Sequence, residues 1–181
     1  MPKSSRARTT PSLFELLRVG DRRALGKSTY VAGLVRREPS LAPELVDVLL
    51  SEDKTAVAHA AHTLMEVATS NPEIIRPLRR KLLLELSHIA QWEVREQLCK
   101  VLPRLRLSPK ERNIAAAIFV RYLADQSSIV RACALQGLAD LAMIDPKRRP
   151  PTRKLIEAAA RSGTAAVRAR ARRLLAGFAR E

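Results

Sequence analysis

The chain has 181 residues, a formal net charge of +15 and 46% hydrophobic residues. That apolar fraction excludes global disorder despite the charge, and no apolar run approaches the roughly 18 residues of a membrane-spanning helix. Six glycines and 3% aromatics, against abundant alanine, leucine and arginine, predict an all-α protein.

Met1 to Thr10 reads as a flexible basic N-terminal tail, with no apolar segment behind it of the kind a secretory signal carries. Residues 11–181 read as a single domain without a linker. A first helical segment, PSLFELLRVGDRR from Pro11, leads into a second that ends near Pro39. PELVDVLLSEDKT from Pro43 leads in the same way into a helix at Ala56.

From Ala56 onward the chain repeats. AVAHAAHTLMEVA, EVREQLCKVLPRL, IVRACALQGLADL and AVRARARRLLAGF each carry a valine at their second residue: Val57, Val94, Val130 and Val167, spaced 37, 36 and 37 residues apart. Four residues on lie Ala61, Leu98, Ala134 and Ala171. Eight on lie Met65, Leu102, Leu138 and Leu175, and eleven on lie Ala68, Leu105, Leu141 and Phe178. Those offsets trace one stripe of a 3.6-residue helix, the face that packs inward. Pro72, Pro109 and Pro146 follow each helix and suit the first turn of the next, with Asn71, Ser108 and Asp145 as candidate N-caps. A second apolar segment lies between each proline and the next valine, and short polar breaks join the two. The approximate repeats are 11–38, 40–71, 72–108, 109–145 and 146–181, about five helix pairs and about ten helices.

The order proline, apolar helix, Asp-containing turn, Val-Arg and alanine-rich helix resembles HEAT repeats, whose period is near 40 residues. DQSSIVRACALQGLADL carries the resemblance best, with Asp125 in the turn and Val130-Arg131 opening the second helix. The resemblance implies a right-handed α-solenoid, second helices lining its concave surface and first helices its convex one. The position of Asp125 holds Glu52, Ile89 and Ser162 in the other copies, so an Asp–Arg ladder between repeats is incomplete.

Motifs that carry chemistry are few. GKS at Gly26 to Ser28 lacks the upstream glycine of a phosphate loop. His59, His62 and Glu66 share a helix face but have no evident fourth ligand, so neither metal nor cofactor is assigned. Cys99 and Cys133 sit at different offsets and read as small buried thiols in a reducing, cytoplasmic protein. Some HEAT-like proteins are glycosylases for alkylated DNA bases that use tryptophans and an acidic residue. The single tryptophan here, Trp92, has only Glu93 and Glu96 nearby and reads as packed between repeats. No catalytic constellation is visible, and the chain reads as a non-enzyme.

Charge is the remaining signal. Glu38 to Glu73 holds seven acidic residues and one basic, whereas Pro146 to Glu181 holds eleven basic and two acidic. Arg95, Arg131 and Arg168 recur at one offset and predict a row at repeat spacing. Lys100, Arg170, Arg172 and Arg173 extend the candidate surface. The same arginines also have a structural reading, as locks on the turns between helices. The expected function is therefore a non-catalytic interaction module whose basic C-terminal half binds an acidic partner, a protein first. The alternative is a nucleic-acid-binding protein distantly similar to the DNA alkylation repair glycosylases. Few aromatics are present to stack bases, which counts against single strands.

Overall fold

The computed structural model describes residues 11–178, and every regular element among them is helical. The expected tail, residues 1–10, lies outside the described residues. In chain order the helices are α1 (Leu13–Leu17), α2 (Ser28–Arg37), α3 (Ala42–Val48), α4 (Lys54–Ser70), α5 (Pro72–Ile75) and α6 (Arg79–Leu84). There follow α7 (Trp92–Val101), α8 (Pro109–Tyr122), α9 (Ser128–Ile144), α10 (Arg149–Ser162) and α11 (Ala165–Phe178). None of them is long and apolar enough to cross a membrane.

Local chemistry sets several helix starts. Ser12 and Glu15 form a capping box on α1, and Ser108 and Glu111 form one on α8, where Pro109 takes the first turn. Asp53 accepts the N–H groups of Thr55 and Ala56, and Ser127 accepts that of Val130. Of the three caps expected ahead of the prolines, only Ser108 bonds through its side chain. Asn71 and Asp145 hold the cap position without a side-chain capping bond, and the Asp145 carboxylate pairs instead with Arg148.

The segment EIIRPLRRKLLLEL, read as one helix, is broken. It runs as α5, a 3₁₀ turn at Arg76–Leu78, and α6. Pro77 is the cause: it donates no N–H and its ring clashes with the carbonyl one turn back.

Burial follows the valine periodicity. Val57, Val94, Val130 and Val167 are all buried, and so are Ala61, Leu98, Ala134 and Ala171 one turn later. Farther along, Leu102 and Leu105, at the 3₁₀ turn that follows α7, are buried, as are Leu138 and Leu141 on α9, while Met65, Leu175 and Phe178 are only half-buried. Helices α2, α4, α7, α9 and α11 pack in that order, each on the next. One large apolar cluster runs from Leu13 to Leu141, with Phe119 and Tyr122 its largest members. A separate cluster joins Ala132, Leu135 and Ala139 of α9 to Ile156, Val167 and Ala171 of the last two helices.

The loop from Arg18 to Lys27 is fastened from below by His59 on α4. The ring places Nδ1 2.8 Å from the Leu17 carbonyl oxygen and Nε2 3.0 Å from that of Asp21. Gly26 has φ 51° and passes so close that an added Cβ would lie 2.6 Å from the ring. Only glycine combines that φ with that approach. With both ring nitrogens facing loop carbonyls, His59 is committed to the fold rather than grouped with His62 and Glu66.

Candidate functional site

Arg95, Arg131 and Arg168 each follow the buried valine of α7, α9 and α11 and fold back onto the turn ahead of their own helix. Arg95 Nε donates to the Ile89 carbonyl at 2.9 Å, Arg131 to that of Asp125 at 2.6 Å, and Arg168 to that of Gly163 at 2.6 Å. Each guanidinium satisfies a carbonyl that the turn leaves unpaired. Arg95 also reaches across to the next turn and binds the Asp125 carboxylate at 2.5 Å, where that side chain is only 6% exposed. Asp125 uses its other oxygen to accept the Ser127 N–H. The arginine row is therefore a set of turn locks, and one rung of an Asp–Arg ladder is present, between Arg95 and Asp125.

The other sequence candidates divide. Lys100 is held by Glu96 at 2.8 Å, one turn back on α7. Arg170 donates to Gln136 on α9 at 3.0 Å. Arg172 and Arg173 are exposed on α11. Five of the seven candidates thus make intramolecular bonds, and Arg172 and Arg173 are exposed.

Positive charge is neutralised unevenly along the chain. Up to α9, ion pairs tie separate segments: Lys81 to Asp47 at 2.7 Å, Arg22 to Glu93 at 2.7 Å, and Arg79 to Glu111 at 2.8 Å. Burial alone would push the Glu111 carboxyl up. The Ser108 cap bonds and the Arg79 guanidinium outweigh it and hold that carboxyl below its ordinary value. The Arg22 guanidinium is raised by its hydrogen bonds to Glu93. Beyond α9 the balance changes. Residues 146–178 carry ten basic side chains and one acidic, Glu157, which pairs with Arg153 at 2.9 Å. Lys147, Lys154, Arg161, Arg172 and Arg173 are exposed there, a field that attracts anions. Arg161 escaped the sequence reading because it lies outside the repeating Val-Arg position.

Of the concavities among the described residues, two are set beside the arginine row. The larger, about 910 Å³, is an open groove along the turns, where Trp92 meets Arg22, Lys54, Arg95 and Asp125. Trp92 is 37% exposed and so lines this groove instead of filling the space between segments. The groove's two arginines are already paired, with Glu93 and Asp125. The smaller, about 330 Å³, opens between α9 and the last two helices and is mainly aliphatic. Nothing in the repeat pattern signals it, because it arises where the α10 apolar stripe narrows to Thr152 and Ile156 as its buried residues.

The cysteines are buried and free, and burial pushes both thiols up, away from nucleophilic behaviour at neutral pH. Tyr122 donates to the Ser87 carbonyl at 2.8 Å, and burial raises its phenol to about 12. These groups are structural. No family model, no curated protein and no solved structure matches this chain.

Proposed function

We propose that the chain is a non-catalytic interaction module: about five HEAT-like helix pairs stacked as a right-handed α-solenoid, whose C-terminal basic pair docks an acidic protein. The stacking reading is supported by the serial packing of α2, α4, α7, α9 and α11 and by the buried valine at one offset in the last four of the five pairs. The docking reading rests on one observation, the exposed and largely unneutralised cations of α10 and α11. Terminal pairs of such arrays turn a polar face outward, and a face of one sign goes beyond what solubility needs. Two free, buried thiols suit a reducing compartment, and the cytoplasm is the proposed location.

Fluorescence anisotropy with the full chain tests the docking reading, using labelled poly-glutamate and a labelled DNA duplex titrated over salt. The expected result is poly-glutamate binding at low ionic strength that fades as salt rises, and its loss in the combined variant Lys154→Glu, Arg161→Glu, Arg172→Glu, Arg173→Glu. No binding at low salt, or binding indifferent to salt, ends the electrostatic reading. Tighter binding to the duplex, with a steep salt slope, replaces the acidic protein by nucleic acid.

A further inference from the structure

The aliphatic groove beside the basic pair sharpens what kind of acidic partner fits. Its walls are Leu123 at the end of α8, Leu135 on α9, Leu155 on α10 and Val167 on α11, with Ala158 exposed at the rim. Arg131 stands in the same wall. Its bonds to the Asp125 and Gln126 carbonyls both use one terminal nitrogen, Nη1. Among the described residues no partner is recorded for the other arm of its fork, a charged donor on a residue that lines the groove. Lys154 and Arg161 lie exposed on the helix that carries Leu155 and Ala158.

From this juxtaposition we infer that the groove between α9 and the α10–α11 pair is an anchoring site for an acidic, amphipathic peptide segment. An aliphatic side chain of the segment lies over the half-buried Leu123 and Leu155, above the buried Leu135 and Val167. Its carboxylates pair with Arg131, Lys154 and Arg161. The volume of about 330 Å³ is at the small end of ligand pockets and suits side chains rather than a whole helix. Charge complementarity sets the sign of the segment, and the aliphatic walls set its second requirement. A phosphodiester backbone satisfies the first and not the second, because it offers no aliphatic group to bury. Apolar burial adds a contribution that salt does not screen, whereas the surrounding ion pairs supply steering and register.

This inference rests on the acidic-protein reading above, and its test separates the two. Three labelled probes are titrated against the full chain: a peptide alternating glutamate with leucine, poly-glutamate of equal charge, and a DNA duplex. The alternating peptide is expected to bind about tenfold more tightly than poly-glutamate, the effect of burying one leucine side chain. Ala158→Trp fills the groove from its exposed rim without touching the core. It should erase that tenfold preference and leave poly-glutamate binding unchanged. A thermal melt of the variant that matches the parent protein confirms intact folding. Equal affinity of the two peptides, or a preference that survives Ala158→Trp, overturns the groove while leaving an acidic partner in place. Failure of both peptides to bind at low salt overturns both readings, as does a duplex that outcompetes them.

Discussion

The helices from α1 to α9 and the pair α10–α11 handle burial and charge in opposite ways. The first group shares one apolar cluster, contains the large aromatic side chains Phe119 and Tyr122, and ties its segments together with ion pairs such as Arg79–Glu111. The final pair shares a cluster of six small or medium residues with α9 and carries most of its charge unneutralised. Small burial together with like-charge repulsion is expected to make the pair less stable locally than the body. Burial and charge are thus separated along the chain: the large buried side chains and cross-segment ion pairs lie in the body, and the unneutralised cations lie at the end.

The largest expected effect probes the two clusters directly. Phe119→Ala, at a ring with no exposure, should cost about 3–5 kcal/mol and lower the cooperative unfolding of the whole body. Ile156→Ala should cost about 2 kcal/mol, with faster hydrogen exchange confined to α10 and α11. Uniform loss of protection across both regions would show that the two clusters unfold as one.

A second contrast lies within the arginine row. Arg95→Gln strands Asp125, a carboxylate 6% exposed, and should cost about 2 kcal/mol, less than a fully buried pair because Arg95 is 26% exposed. Arg168→Gln removes a turn bond with no acidic partner across the seam and should cost about 1 kcal/mol. Chemical denaturation of both variants reads the difference; equal losses would mean that the Asp125 bridge adds nothing to the turn lock.

The smallest effect concerns pH. The folded Glu111 carboxyl lies below its ordinary value, so its contribution is present above the unfolded carboxylate range and is lost as pH falls through the lower folded value. Glu111→Gln should therefore cost about 1 kcal/mol at neutral pH and flatten the acid limb of a stability profile. An unchanged acid limb would assign that slope to other carboxylates.

Much of the helical pattern was legible because periodicity is a direct image of burial. The four valines and the residues one turn on are apolar for the reason that they are buried. The pattern weakens at Met65, Leu175 and Phe178, which are only half-buried. The break at Pro77 was visible as a proline, and the apolar run around it masked its effect. The candidate surface was less legible. Spacing placed Arg95, Arg131 and Arg168 at one offset, but a spacing carries no information on which carbonyl a guanidinium reaches. Contacts between distant segments were out of reach for the same reason: Arg22 meets Glu93 across 71 residues, and His59 meets the Leu17 carbonyl across 42.

Helix α9 belongs to both clusters, with Val130, Ala134, Leu138 and Leu141 in the large one and Ala132, Leu135 and Ala139 in the small one. On the ribosome this two-sidedness sets an order of events. The buried members of the large cluster all lie between Leu13 and Leu141, so that cluster can close without α10 and α11. Until α10 and α11 emerge, the Ala132–Leu135–Ala139 side of α9 stands uncovered, an adhesive seam on the nascent protein.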